Sequence, residues 1–179
     1  MILYYAVHGE WPPLPAETRA ASTTPSHTTT LSLGNDHGRP GDTTQVTLRG
    51  DGLLGFAGGD FVVVYDPQEV ARIAGVNATG LAAGMTSAYR DDGAGRLFIS
   101  LADDAEISGS DALLTIDFVL ADNAQSGQAT PLLLAGAHLN DLLGRDFVTS
   151  FPSNTLIREH GELVVGLEGY NLYLPAVKR

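Results

Sequence analysis

The sequence contains no cysteine, few basic residues and no long apolar run. Without cysteine the chain has no disulfides, thiolate metal ligands or cysteine nucleophiles. Its ten lysine and arginine residues are scattered and leave a net charge of −11, whereas nucleic acids and anionic membrane surfaces bind clustered basic side chains. No apolar run approaches the roughly 20 residues of a membrane-spanning helix. We therefore expect neither nucleic-acid binding nor a membrane span.

Catalytic signatures are also missing. The chain has no G-x-S-x-G, H-E-x-x-H or Walker sequence, the patterns that position a nucleophile, a zinc ion or a phosphate. The five histidines show no metal-ligand spacing. The acidic segments 91–92 and 103–106 lack the alternating pattern of a calcium-binding loop. The sequence predicts a protein that is not an enzyme and that binds no cofactor or metal of its own.

The sequence is rich in glycine and in short segments where apolar and polar residues alternate. Glycine accounts for 21 of 179 residues, and charged residues for only 17%, a composition typical of a β-sandwich with many turns. Turns are predicted at Arg39–Thr43 and 91–95, loops at 50–55 and 103–111, and one helical turn or a short helix at 67–74. The predicted strands are Thr44–Leu48, Asp60–Tyr65, Met85–Arg90, Arg96–Ala102, Ala112–Leu120, Thr130–Leu139 and Gly161–Gly166.

Three segments are predicted along the chain. Residues 1–30 form an N-terminal arm and Pro/Thr-rich linker, residues 31–166 the folded domain, and residues 167–179 a C-terminal tail. Linkers of this composition separate modules in extracellular proteins, although an ordered arm that wraps the domain fits the same composition. Met1–Val7 is too short for the apolar region of a signal peptide. We expect an extracellular or cell-surface location, with the signal peptide absent from this chain.

The segment GGDFVVVYDP is unusual because both sides of the predicted strand are apolar. Phe61, Val63 and Tyr65 alternate with Asp60, Val62 and Val64. A strand in a small antiparallel sandwich is expected to have one polar side. In the strand Arg96–Ala102, the row expected to face the core is Leu97, Ile99 and Leu101. Phe98 lies on the opposite side of this strand. Apolar surface rimmed by polar groups is typical of a partner site, unless a loop, a helix or the N-terminal arm covers it.

Four segments carry a family resemblance. They are GRPGDTTQVTL (Gly38–Leu48), GFAGGDFVVVYDP (Gly55–Pro67), the region Tyr89–Leu120 with its ISG and LLTIDF motifs, and LNDLLGRD (Leu139–Asp146) followed by GELVV. In this order and with these gaps they resemble the cohesin domain, the receptor module of cellulosomal scaffoldins. The resemblance covers Leu31 to Val165.

This resemblance implies a nine-stranded jelly-roll β-sandwich with a binding function. The implied partner is a dockerin, a small calcium-bearing helical module of another protein, often a polysaccharide-degrading enzyme. A helix of the dockerin is expected to pack across one exposed sheet face. Calcium is then expected on the dockerin and not on this chain, which is expected to be monomeric without its partner.

The resemblance also implies the contact residues. Asp60 corresponds to a position that accepts hydrogen bonds from dockerin hydroxyl groups, and Asp103 to an interface glutamate. Ser100 stands where the family often has an apolar contact, and Gly58 where several members have asparagine. The full predicted set is Gly58, Asp60, Val62, Val64, Tyr89, Phe98, Ser100, Asp103, His138 and Leu142, with the last two assigned to the eighth strand.

Two other functional classes are compatible with the sequence. Jelly rolls also bind glycans, but a glycan platform requires coplanar aromatic rings, and the single tryptophan, Trp11, lies in the predicted linker. A structural or adhesive surface spacer without a specific ligand is the second alternative. A pull-down with dockerin-bearing proteins distinguishes the binding module from the spacer, and affinity electrophoresis in soluble polysaccharides tests the glycan hypothesis.

Overall fold

The computed structural model describes residues 26–147 and 154–166, and nearly all of this part is β-structure. Its strands are β1 (Thr28–Leu33), β2 (Asn35–Gly38), β3 (Thr43–Val64), β4 (Val70–Ala78), β5 (Thr86–Asp91), β6 (Arg96–Leu120), β7 (Ala129–Asn140), β8 (Thr155–Glu159) and β9 (Gly161–Val165). The helical structure in these ranges is a single 3-10 turn, Gly80–Ala82, so they contain no helix that could cross a membrane. Most of the predicted arm and all of the predicted tail lie outside the described residues.

Two long antiparallel strands, β3 and β6, run through both layers of the sandwich. They pair with Thr43 opposite Val119 at one end and Val64 opposite Arg96 at the other. The first layer has the order β8, β1, β3, β6, β4 and uses the N-terminal half of β3. The second layer has the order β5, β6, β3, β7, β9, β2 and uses the other half. The prediction of a nine-stranded jelly-roll β-sandwich is confirmed.

The bend between the layers lies in the glycine-rich middle of β3. The register with β6 shifts repeatedly there, and Gly52 and Gly55 have φ values of +66° and +63°, a conformation that glycine adopts without steric cost. Such bulges bend a strand and increase its twist. The predicted loops at 50–55 and 103–111 are therefore wrong, because both segments continue long strands through irregular pairing.

Of the two forms predicted within 67–74, one helical turn or a short helix, only the turn is present: the Asp66 carbonyl accepts hydrogen bonds of 3.2 Å and 3.0 Å from the Glu69 and Val70 N–H groups, and strand β4 begins at Val70. The buried side chains of this strand are Val70, Ile73 and Val76, and a spacing of three resembles that of a helix. Register shifts after Val70 and after Ile73 turn every third residue toward the core. Pairing with β6 thus outweighs the local helical preference of the segment.

The core between the two layers consists of alternate residues from the long strands. Phe61 and Phe118 are its largest fully buried side chains. Truncating a buried phenylalanine to alanine costs about 3–5 kcal/mol, so these two rings contribute strongly to the packing of the layers. The rows that the sequence predicts to face inward are all buried: Phe61, Val63, Tyr65, Leu97, Ile99 and Leu101.

Strand β1 begins at Thr28, inside the segment predicted as arm and linker. Thr29 is buried, and its hydroxyl donates a hydrogen bond of 2.7 Å to the Gly52 carbonyl. The strand pairs antiparallel with β3 and parallel with β8. The sheet therefore starts before the predicted boundary at Leu31, because a threonine-rich segment fits a β-strand as well as a linker.

Candidate functional site

The outer side of the second layer is a sheet surface that we call the four-strand face. It is formed by β5, the first half of β6, and the second halves of β3 and β7. Residues in register across neighbouring strands lie on the same side of a sheet. From one end to the other the rows are Arg96/Val64/Leu133, Arg90/Phe98/Val62/Gly136, Ala88/Ser100/Asp60/His138 and Thr86/Ala102/Gly58/Asn140.

The centre of the four-strand face is apolar. Val62, Val64 and Phe98 are half-buried, and Leu133 is 39% exposed. Gly136 lies beside Val62, where an added Cβ would sit 3.3 Å from the valine Cγ2, so the glycine leaves this valine accessible. The second apolar side of the GGDFVVVYDP strand therefore lies at the surface of the sandwich.

A polar row crosses the face beside this apolar centre. Asp60 Oδ1 accepts a hydrogen bond of 2.5 Å from the Ser100 hydroxyl, and His138 is the cross-strand neighbour of Asp60 on β7. His138 Nδ1 lies 3.3 Å from Asp146 Oδ2. Asp60 is exposed, and its second carboxylate oxygen has no donor within the described part of the chain. The row thus presents an available carboxylate oxygen and an imidazole.

Two arginines lie at one end of the face. The Arg90 guanidinium lies over the Phe98 ring, 4.7 Å from its centroid, in a cation–π contact. Arg96 occupies the next row, where the hairpin before β6 ends. In that hairpin a hydrogen bond from the Ala94 N–H, together with the Arg96 N–H and the two guanidinium charges, lowers the pKa of Asp92 below its usual value. We call this end, with its two arginines, the arginine end of the face; the Asp92 carboxylate of the hairpin is close enough for both guanidinium charges to act on it.

A groove lies at the opposite end of the face. It is lined in part by Gly58, Asp60, Asp103, Asn140 and Leu142, and so brings four of the predicted contact residues together. Leu142 is 50% exposed but lies in the turn after β7, so its predicted placement on a strand is wrong. This end of the face combines an exposed leucine with carboxylates.

The turn that carries Leu142 is held by Asp141. The Asp141 carboxylate accepts hydrogen bonds of 2.9 Å from the Leu143 and Arg145 N–H groups and one of 2.6 Å from Arg145 Nε. Partial desolvation works to raise the pKa of Asp141, but these bonds outweigh it and the pKa is lowered. Because the side chain that fixes the turn is ionised at neutral pH, Leu142 has a defined position beside the groove.

Of the predicted contact residues, only Tyr89 lies off the face and its groove. Tyr89 pairs with the core residue Ile99, so it lies on the inner side of the edge strand β5, where it is still 44% exposed, and Arg90 takes the outer position. Gly58 contributes only backbone to the groove. An added Cβ at Gly58 would lie 2.7 Å from the Leu101 carbonyl oxygen, so no side chain fits there without movement of the sheet.

The outer side of the first layer differs in character, and we call it the polar face. Gln45 Nε2 donates a hydrogen bond of 2.8 Å to Asp117 Oδ1, and Arg49 Nη2 lies 3.6 Å from Asp111 Oδ1. Polar groups on this face therefore interact with one another. Its outward side chains include Thr43, Gln45, Thr47, Arg72, Asn77, Thr115, Asp117 and Val119.

The described side chains of the four-strand face supply contact surface. Val62 and Val64 can bury apolar groups, Asp60 can accept hydrogen bonds, and Arg90 can pair with an anion. In residues 26–147 and 154–166, no three histidine, aspartate or glutamate side chains converge so as to hold a metal ion. The chemistry of the face suits recognition of another macromolecule.

No protein-family model matches the sequence, and no curated protein matches it. Solved structures do match. The non-cellulosomal cohesin from the archaeon Archaeoglobus fulgidus is 17% identical, with a TM-score of 0.65 over 79% of this chain and 94% of the cohesin. The sixth cohesin of Acetivibrio cellulolyticus scaffoldin B, in complex with a double mutant of the Cel5 dockerin, is 18% identical, with a TM-score of 0.65 over 77% of this chain and 99% of the cohesin.

A type I cohesin–dockerin complex from Clostridium thermocellum, Coh-OlpA-Doc918, gives a similar result. It is 15% identical, with a TM-score of 0.65 over 77% of this chain and 99% of the other. Structural agreement at sequence identities this low shows a shared fold, but it does not show shared contact residues. The chain has the fold of the cohesin domain.

Proposed function

We propose that this chain is a non-catalytic binding module that holds a dockerin on its four-strand face and so recruits the protein that bears the dockerin. The observation that carries the proposal is an apolar centre on a cohesin fold, with Val62 and Val64 accessible and the half-buried Phe98 beside them. The similar structures from Acetivibrio cellulolyticus and Clostridium thermocellum are complexes with a dockerin. A location outside the cell is part of the proposal, and the Pro/Thr-rich composition of residues 11–30 supports it.

The dimensions of the face suit one helix. The six residue steps from Arg96 to Ala102 span about 20 Å at 3.3 Å per residue. Four strands about 4.8 Å apart place the outer strand axes about 14 Å from each other. A helix with its side chains is about 10–12 Å wide and rises 1.5 Å per residue. A helix of roughly 13 residues therefore covers the length of the face.

The chemistry of the face suits a partner with both apolar and hydroxyl side chains. Burial of the two valines and of Phe98 contributes about 25 cal/mol per Å² of apolar surface, from which the entropic cost of association is subtracted. The available oxygen of Asp60 can accept a hydrogen bond from a partner hydroxyl or amide, and an ionised acceptor strengthens such a bond. A few central contacts of this kind carry most of the affinity in protein interfaces.

The glycan alternative has little support on this face. Among the described residues in its rows, Phe98 is the only phenylalanine, tyrosine or tryptophan, and Arg90 lies over it. A sugar platform requires an uncovered ring, and usually several that are coplanar.

Calorimetric titration with isolated dockerin modules tests the proposal. The titrants are calcium-loaded dockerins from the proteome that contains this chain, with the Cel5 dockerin of Acetivibrio cellulolyticus as a heterologous probe. We expect at least one dockerin to bind one-to-one with a Kd of about 1 μM or tighter. Removing calcium with EDTA should abolish binding while leaving the Tm of this chain unchanged, because calcium is expected on the dockerin.

Two results would count against the proposal. The first is that no dockerin of the proteome binds, even at high micromolar concentration. The second is that EDTA lowers the Tm of this chain in the absence of a dockerin, which would place calcium on the chain and contradict the assignment of the metal to its partner.

A further inference from the structure

We propose that Arg90, positioned over Phe98, binds a carboxylate of the partner, so that the partner carries an aspartate or glutamate opposite the arginine end of the four-strand face. This inference rests on the proposed function and adds the chemistry of one partner side chain. Neither Arg90 nor an acidic partner residue belongs to the contact set that the sequence predicts.

The first observation is the orientation of the guanidinium. Arg90 and Phe98 are directly paired across β5 and β6, and the guanidinium carbon lies 4.7 Å from the ring centroid. An arginine stacked on a ring keeps its planar set of N–H donors free at the edges. Because the ring restrains the side chain, less conformational entropy is lost when these donors bind a carboxylate.

The second observation is that the carboxylates of the neighbouring hairpin accept their hydrogen bonds from other groups and form no ion pair with Arg90, although the Arg90 charge does act on Asp92. Asp91 Oδ1 accepts a 2.6 Å hydrogen bond from the Tyr65 hydroxyl and a 3.0 Å bond from the Gly93 N–H. Asp92 Oδ1 accepts bonds of 2.8 Å and 3.0 Å from the Ala94 and Arg96 N–H groups. Within the described ranges, no carboxylate oxygen lies within 4.0 Å of the Arg90 guanidinium.

The third observation is the distribution of charge along the face. Arg90 and Arg96 lie at one end, and Asp60 and Asp103 lie in the middle and at the groove end. In a chain with a net charge of −11, two arginines on one part of a surface are the exception. A partner with a carboxylate at the arginine end is attracted in one orientation and repelled in the reverse orientation, where that carboxylate would approach Asp103.

The test uses the dockerin that binds in the titration proposed above. Arg90→Gln should raise the Kd about tenfold, because a hydrogen-bonded charge pair is lost and 1.4 kcal/mol corresponds to a factor of ten. The dependence of the Kd on NaCl concentration should also weaken. The matched control is Arg72→Gln on the polar face, which removes the same charge and should leave both quantities unchanged.

A second pair of measurements distinguishes carboxylate binding from a structural role. Phe98→Leu keeps an apolar contact but removes the ring, and should raise the Kd a few-fold while Arg90 remains. In a second experiment, each acidic residue of the dockerin is changed to lysine in turn. At one position the lysine variant should bind the wild-type chain poorly. The same variant should bind Arg90→Glu better than the unchanged dockerin binds Arg90→Glu.

The outcomes separate the two proposals. If no dockerin binds the unchanged chain, the proposed function fails and the role of Arg90 fails with it. If a dockerin binds but Arg90→Gln has the Kd and salt dependence of the control, only the carboxylate assignment is overturned. The assignment is also overturned if no acidic position of the dockerin rescues Arg90→Glu, even where Arg90→Gln binds weakly.

Discussion

The two outer faces of the sandwich are built from the same two long strands, yet their chemistry differs. β3 and β6 supply Val62 and Phe98 to the four-strand face, and Gln45 and Asp117 to the polar face. On the polar face Gln45 and Asp117 satisfy each other through a 2.8 Å hydrogen bond. On the four-strand face the apolar side chains stay accessible, and Arg90 has no carboxylate partner among the described residues.

The two faces differ in whether their polar groups are paired and in whether apolar side chains remain accessible. A sheet face that only meets water is stable with threonine, glutamine and paired charges. Accessible apolar side chains beside unpaired charges contribute little to a monomer, but they form the centre and rim of an interface once a partner covers them. The binding surface that we propose therefore lies on one side of the molecule.

The strongest test of this difference introduces a charge at equivalent places on the two faces. Val62 and Val119 are both half-buried valines on the outer sides of central strands. Val62→Asp should weaken dockerin binding by on the order of 3 kcal/mol, because it buries an unpaired carboxylate in the interface. Val119→Asp should leave the Kd unchanged. Calorimetric titration measures the Kd, and thermal unfolding confirms that both variants fold.

Equal losses of affinity in the two valine variants would contradict the assignment of binding to one face. Unchanged affinity in Val62→Asp would remove the apolar centre from the interface.

A smaller effect is expected from a pair of aspartate variants. Asp60 and Asp117 each accept one side-chain hydrogen bond on their own face, from Ser100 and from Gln45. Asp60→Ala should weaken binding by about 2 kcal/mol, because a partner donor loses a charged acceptor, while the Tm stays nearly unchanged. Asp117→Ala should leave the Kd unchanged and lower the free energy of unfolding by at most about 1 kcal/mol. A Kd for Asp60→Ala within error of wild type would exclude this carboxylate from the site.

The smallest effect on binding is expected from the inner side of the same layer. Tyr65 is buried, and its hydroxyl donates a 2.6 Å hydrogen bond to Asp91. Tyr65→Phe should lower the free energy of unfolding by about 1 kcal/mol and leave dockerin binding unchanged. Denaturant unfolding measures the first quantity and titration the second. A clear change in the Kd would show that core and face are coupled.

The same variant has a defined pH dependence. Burial, and then the hydrogen bond and negative charge of Asp91, raise the pKa of Tyr65 above its ordinary value of 10.0. The protonated hydroxyl therefore contributes stability that is fully present below pH 10 and is lost as the pH rises toward the folded-state pKa. The wild type should lose more stability than Tyr65→Phe over this alkaline range, and parallel curves for the two proteins would contradict the assignment.

Much of the fold could be predicted from local patterns. The alternation in 60–65 and 96–102 correctly separates the inward rows from the outward rows. The predicted turn at Arg39–Thr43 is present, with a 2.9 Å hydrogen bond from the Asp42 N–H to the Arg39 carbonyl. These features depend on period-two alternation and on turn residues, which act over a few positions of the chain.

Other features depend on neighbouring strands and could not be read from local patterns. Alternation shows that Tyr89 and Arg90 point to opposite sides, but only the register with Ile99 shows which of them points outward. In β4 the register shifts place Val70 and Ile73 on the same side, which no period-two pattern indicates. The contact between Arg90 and Phe98 is set by the same long-range register.

The course of β3 and β6 also has a consequence for folding. Among the residue pairs between β3 and β6, Val64 and Arg96 are separated by the shortest loop, and the separation increases toward the pair Thr43 and Val119. Once the shortest loop has closed, each neighbouring pair can form in turn at little additional entropic cost. Because even the first pair is distant in sequence, folding should be slow, as in other β-sandwiches of high contact order. Both layers should then form in a single cooperative step.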